Sequence, residues 1–279
     1  MGEISINPKF NIHETYKKVR ILNPYRGVSA GGGGGVDPDY QAVLDYAAGN
    51  FIALPNAAQQ DIDNQLIINY KASGGWDKDD VVFNPRGTAT PAFKLICWKR
   101  RVEMIAVGGL TWDEFGVKGN GTNAYIKTGF NPTVNGVNYT VNDAGVNYVG
   151  VNAPMTKGCL IGGYDGALSS FTIWAPYNYQ NNKAIYGVNG FNDTVLTADN
   201  VMKAGLNGIY RIDNITLKNV GLGELTTNTA TANLLNAEIY ILARNINNAP
   251  SIYWDEKISF LTIGGNKYSM HNAMASVLE

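Results

Sequence analysis

The sequence predicts a mainly β protein: an antiparallel jelly-roll or β-sandwich body, preceded by a small helical segment and an extended N-terminal arm. Three observations carry this. Charged residues make up only 16% of the 279-residue chain. Its polarity comes instead from Asn, Thr, Ser and Gly, which suit strand faces and tight turns better than long solvated helices. Beyond residue 117, short strand-sized runs recur between Asn/Gly/Asp/Thr turns, the texture of a sandwich or barrel. Upstream, five consecutive glycines, Gly31–Gly35, separate a basic, apolar arm from everything that follows. Glycine loses more backbone entropy on ordering than any other residue, so the run reads as a joint.

The arm covers residues 1–30. Lys9, Lys17, Lys18, Arg20 and Arg26 outweigh Glu3 and Glu14. Pro8 and Pro24 argue against one continuous helix. The segment is too apolar for a free tail and too short to fold alone. It reads as a docking arm ordered on a partner, with Phe10, Tyr16, Lys17, Lys18, Arg20, Tyr25 and Arg26 as its contacts. The alternative is an arm that packs back on its own domain. Residues 31–36 form the glycine hinge, the alternative being a Gly-rich turn within one domain.

Residues 37–117 read as a helical collar with short strands. Asp37 is a natural N-cap with Pro38 at the first helical position. Tyr40, Val43, Leu44 and Ala47 share a face, and Gly49 is a stop signal. A second helix starts at Asn56, shows the stripe Ile62, Leu66, Tyr70, and ends at Gly74-Gly75. DVVFNP, AFKLICW and EMIAV then read as strands. The body, 118–279, contains AYIKTGF, VNYVGV, SSFTIWA, KAIYGV, GIYRIDNITL, EIYILA and KISFLTI as strand-sized pieces. KYSMHNAMASVLE closes the chain as a short helix with Met270, Met274, Val277 and Leu278 on one face.

Several function classes are excluded. A net charge of −1 gives no field towards nucleic acid or membrane. No apolar h-region opens the chain and no run approaches a membrane-spanning length, so neither a signal peptide nor membrane insertion is expected. Cys97 and Cys159 read as free, buried thiols, and no His/Cys/Asp cluster has zinc spacing. GGGGG lacks the Gly-Lys-Ser/Thr ending of a phosphate loop, and no G-x-S-x-G motif is present. Lys99-Arg100-Arg101 reads as a solvated edge or a subunit salt-bridge site rather than a nucleic-acid contact.

Glycan binding is the class the residues support. An aromatic platform meets the apolar face of a sugar, and amide side chains satisfy its hydroxyls. FTIWAPYNYQNN offers Trp174, Tyr177, Asn178, Tyr179 and Gln180, and PSIYWDE offers Tyr253 and Trp254. The competing role for these aromatics is a hydrophobic corner or a subunit contact. Trp76, Trp98 and Trp112 sit in apolar runs and read as core.

From about residue 40 to its end, the chain resembles phage virion and tail- or head-fibre proteins whose C-terminal body is a concanavalin A-like, LamG-type jelly roll. The likeness rests on AAQQDIDNQLIINYKASGGWDKDDVVFNP (57–85), TATPAFKLICW (88–98), GNGTNAYIKTGFNPT (119–133), EIYILARNINNAP (238–250) and KISFLTIGG (257–265). KYSMHNAMASVLE is shorter than the family's usual closing helix. The resemblance implies a non-enzymatic virion component. Its arm would hold other virion proteins, it would assemble as a homotrimer, and its body would meet host-surface polysaccharide. No cofactor is expected. Calcium, common in LamG-type bodies, has only scattered oxygens here, Asp143, Asp165 and Asp213, with no dense D-x-D loop. Jelly-roll glucanases carry an acidic triplet such as E-x-D-x-E on one strand, and none occurs here. The alternative role is a purely structural capsid or tail decoration or joining protein with no ligand.

Overall fold

The structure, a computed structural model, describes residues 35–151, 158–166, 170–177, 183–190, 204–220, 225–228 and 233–278. The arm contacts Phe10, Tyr16, Lys17, Lys18, Arg20, Tyr25 and Arg26 lie outside the described residues, as does most of the glycine run.

The helices form where local signals place them. Helix α1 (Pro38–Gly49) is capped by Asp37, whose side chain accepts from the Asp39 amide, and buries Tyr40, Val43, Leu44 and Ala47. Helix α2 (Ala57–Ala72) is capped by Asn56 and buries Leu66, Ile67 and Tyr70. Ile62, expected in that stripe, is half-buried, and Asp63 beside it is buried. Past α2 the chain enters β1 (Asp79–Phe83). AFKLICW, expected as a strand, instead begins with a helical turn, α3 (Pro91–Lys94), capped by Thr90. Thr90 and Pro91 together are a helix-start signal that overrides the apolar run.

Short strands follow: β2 (Ile96–Cys97), β3 (Val102–Glu103), β4 (Ile105–Val107), β5 (Thr111–Asp113), β6 (Gly116–Lys118) and β7 (Tyr125–Lys127). After the turn α4 (Pro132–Asn135) come β8 (Ala144–Gly150), β9 (Cys159–Tyr164), β10 (Ser170–Tyr177) and β11 (Lys183–Gly190). Then follow β12 (Gly205–Arg211), β13 (Thr216–Val220), β14 (Leu225–Asn228), β15 (Tyr240–Ile241), β16 (Arg244–Ile246), β17 (Ala249–Ser251) and β18 (Lys257–Gly264). Helix α5 (His271–Leu278) ends the described chain and buries His271, Met274 and Leu278.

Two sheets stack as a sandwich. The first runs β14-β13-β12-β8-β18-β6-β5, with β1 also beside β18; the second runs β11-β10-β9-β15-β7-β4, with the β16–β17 hairpin laid against β9. Among the described residues, every pairing is antiparallel except β16 with β9. The core between the sheets holds Val81, Phe83, Val146, Tyr148, Ile209, Leu261 and Ile263 from the first, and Ile126, Leu160, Ile161 and Ile241 from the second. The opposite face of the first sheet carries Val82, Val149, Leu206 and Phe260 against α1, α2 and α5. That sheet is therefore covered on both faces. This is why β18 is buried continuously from Ile258 to Gly264 instead of on alternate residues.

The expected border between residues 117 and 118 falls inside β6. Strands β1, β5 and β6 belong to the first sheet and β4 to the second, so the segment expected as a collar is woven into the body. The α1–α2 hairpin lies as a layer upon the sandwich, and β2 and β3 pair as a separate two-stranded sheet.

Both cysteines are buried thiols outside any disulfide. Trp76 and Trp98 are core residues, while Trp112 is half-buried and packs against the inter-sheet core. The basic run is not a free patch. Lys99 donates to the Trp76 carbonyl, Arg100 to the Thr128 carbonyl, and Arg101 pairs with Asp39.

Candidate functional site

The outer face of the second sheet carries an aromatic cluster. Strand β7 turns Ile126 into the core, so Tyr125 and Lys127 point the other way. Strand β15 does the same with Ile241 and Tyr240, and its register sets Tyr240 opposite Lys127. The rings of Tyr125 and Tyr240 lie 5.0 Å apart, with the Lys127 ammonium 5.9 Å from the Tyr240 ring. Tyr253 joins them at 6.1 Å from Tyr125. Strand β4 extends the face with half-buried Val107 and with Ile105, which is 60% exposed. Tyr125 and Tyr240 are largely covered, whereas Tyr253 is half-buried and its hydroxyl donates to the Pro250 carbonyl. Burial, then Glu238 and Tyr125, push the Tyr240 phenol up to about 12, so it stays a hydrogen-bond donor.

Tyr253 is placed by a strained segment. Leu242 and Ile252 both have positive φ, 65° and 52°. Left-handed backbone is costly for a β-branched residue. Three hydrogen bonds hold the segment: Leu242 N–H to the Leu160 carbonyl, Cys159 N–H to the Ile252 carbonyl, and Trp254 N–H to the Leu242 carbonyl. Between them, Asn247 and Asn248, both at positive φ, close the β16–β17 hairpin in the manner of a type I′ turn.

The loop GNGTN borders this face. Asn120 Oδ1 accepts from the amides of Thr122, Asn123 and Ala124, and its Nδ2 donates to Asn123 Oδ1. Gly119 lies against the Trp254 carbonyl, where a Cβ would come within 2.0 Å, and Gly121 sits beside Asp255. Close backbone approach requires glycine at 119. Exposed Asn120, Thr122 and Asn123 are thus held next to residues 253–255.

The residues singled out in sequence fare differently. Trp254 is 3% exposed and packs in the inter-sheet core, so its ring offers no face to a ligand. Successive strand-like residues point to opposite sides, and here Tyr253 faces outward. Trp174 and Tyr177 lie on β10, where Trp174 pairs with Cys159. Asn178, Tyr179 and Gln180 lie outside the described residues. Register nevertheless joins the two segments, because Cys159 has Trp174 on one side and Ile252 on the other. Two strand spacings, about 10 Å, separate them. Tyr125, Lys127 and Tyr240 were missed as site residues. Their signal is a Tyr one position from an Ile in two strand-sized runs, YIK and IYI.

The acids expected as scattered oxygens accept from backbone amides: Asp143 from Asn266 and Asp165 from Asn236, both distant in sequence, and Asp213 from Ile215 and Thr216 in its own turn. Among the described residues, no group of three His, Cys, Asp or Glu side chains is placed to hold a metal ion. Among them too, no helix is long and apolar enough to cross a membrane.

No family model matches the chain, and no curated protein matches it in sequence. Solved structures resemble it at low identity. Domain 4 of AbnA, a GH43 extracellular arabinanase from Geobacillus stearothermophilus in complex with arabinotriose, is 12% identical with a TM-score of 0.43, over 71% of this chain and 98% of that one. A Trypanosoma rangeli sialidase in complex with 2,3-difluorosialic acid is 13% identical with a TM-score of 0.46, over 80% of this chain and 39% of that one. Domains LG4-5 of the mouse laminin α1 chain are 11% identical with a TM-score of 0.32, over 47% of this chain and 38% of that one. No residue role or activity passes from these proteins to this chain.

Proposed function

We propose that this chain is a non-catalytic, fibre-like phage virion protein that holds host-surface glycan on the tyrosine face of its β-sandwich. The observation that supports binding is the cluster of Tyr125, Tyr240 and Tyr253 on the outer face of one sheet, with Asn120 and Asn123 exposed on the loop that packs against Trp254 and Asp255. Tyr253 presents ring surface to the C–H face of a sugar; the neighbouring amides and the Lys127 ammonium meet hydroxyls. Trp174, on β10 of the same sheet, is proposed as a further contact. Each such contact is weak, and assembly as a homotrimer would multiply it through avidity. Residues 1–30 anchor the chain to other virion proteins, and the glycine hinge frees the sandwich to orient.

The test is a glycan array probed with the full chain and its Tyr253→Ala variant. Binding by the parent, reduced about tenfold at unchanged melting temperature, supports the reading. Immunogold labelling of intact particles then tests the virion role, and label on outward fibres is the expected result. No glycan binding at all favours the structural joining reading. The coverage of Tyr125 and Tyr240 and the exposure of Ile105 on the same face also fit a subunit contact. In that case Tyr253→Ala changes the oligomeric state seen by light scattering.

A further inference from the structure

Asp79, at the start of β1, and Lys267, just beyond β18, are both fully buried. They lie 188 positions apart in sequence, and Lys267 Nζ is 2.5 Å from Asp79 Oδ1. Pairing of β1 with β18 sets Asp79 opposite Gly264, and the Gly265 amide bonds the Lys78 carbonyl, so this meeting is fixed by backbone. The other carboxylate oxygen, Oδ2, accepts from the Tyr70 hydroxyl at 2.5 Å. The Gly265 carbonyl accepts from Nζ at 3.3 Å. The buried Thr262 hydroxyl also neighbours Asp79 and Tyr70.

We propose that Asp79 and Lys267 become joined by an intramolecular isopeptide bond formed by the chain itself. The ammonium passes one proton to Oδ1, leaving a neutral amine beside a neutral acid. The Nζ lone pair attacks Cγ, and negative charge develops on Oδ2, where the Tyr70 hydroxyl already donates. A second proton passes from nitrogen to Oδ1, the Cγ–Oδ1 bond breaks, and Oδ1 leaves as water. Nitrogen keeps one hydrogen and Oδ2 becomes the amide carbonyl oxygen. Three hydrogens on the ammonium thus become two on water and one on the amide, with no net change in charge and no oxidant or co-reactant.

Four features favour the step. Burial pushes the Asp79 carboxyl up even against Lys267, which favours the neutral acid. Burial also holds the Tyr70 phenol well above its ordinary range, so it remains a donor. The reacting groups are fixed in contact, which removes the entropy of bringing them together. Burying two opposite charges is costly, and an amide replaces them with a neutral group. The bond would tie the first strand of the sandwich to the end of its last, so that pulling on the N-terminal side could not peel β1 from β18.

Mass spectrometry of the purified full chain, first shown to melt cooperatively, tests this. The expected intact mass is lower than the sequence mass by one water. A digest should contain the peptide bearing Asp79 linked to the peptide bearing Lys267. Lys267→Arg should restore the sequence mass. Tyr70→Phe, which keeps the ring, should form the link about tenfold more slowly. Unlinked peptides from the folded parent overturn the proposal and leave an ion pair. A link to any other residue also overturns it.

Discussion

Asp63 shows how one side chain on a well-formed helix can carry pH dependence. It is 2% exposed and accepts from Gln59 Nε2, Tyr40 Oη and Asn84 Nδ2, all neutral donors. Burial pushes its carboxyl up to about 7, against the lowering effect of those bonds and of Arg86. An unfolded aspartate ionises near 3.8. Between these values the unfolded chain has released a proton that the folded chain retains, so stability falls as pH rises across that window. Above pH 7 the loss is complete, at most about 4 kcal/mol. Asp63→Asn keeps an acceptor for Gln59 and Asn84 and removes the charge. Thermal melts should show the variant more stable than the parent at pH 8 and the advantage gone at pH 4. Equal pH slopes for both proteins would disprove the assignment. Nothing local marks Asp63, because its burial comes from α1 and from the loop after β1.

At the scale of elements, legibility followed locality. Asp37, Pro38 and Asn56 determine where α1 and α2 begin, and these signals act within a few residues. Strand β9 was not anticipated. Its sequence, CLIGGY, carries two glycines that read as a turn, yet Gly163 is where a Cβ would meet the Leu235 side chain at 2.8 Å. Crowding, not turning, requires it. Gly264 is the same kind of residue on β18: a Cβ there would lie 2.1 Å from the Lys78 carbonyl and 2.6 Å from Asp79 Cα. Backbone cannot yield as a flexible side chain can. Gly264→Ala should therefore loosen β1 from β18 and cost about 3 kcal/mol in a urea melt. A change under about 0.5 kcal/mol would mean that this pairing contributes little.

For the whole molecule, the weaving of residues 79–118 into both sheets has a direct consequence. A fragment of residues 118–279 lacks β1, and with it the partner of Leu261–Gly264, and contributes only the last residue of β6. It also loses Val81, Phe83, Cys97, Met104 and Val117 from the core. The fragment should fail to give a cooperative melt, whereas residues 35–279 should give one. A fragment that melts like the longer chain would show that the sandwich closes without β1.

The sequence by itself determined the class of the fold, the two helices with their caps, most of the long strands and the burial of Trp76 and Trp98. Each depends on propensity, capping or periodicity, forces that act over a few residues. Tertiary structure decided which strand lies beside which, and so where one domain ends. It sent Trp254 inward and Tyr253 outward, because the phase of a two-residue period is set by what the strand packs against. It brought Tyr125 to Tyr240 and Asp79 to Lys267 across more than a hundred residues. Such contacts form only when the sheets close, and no local pattern encodes the partner.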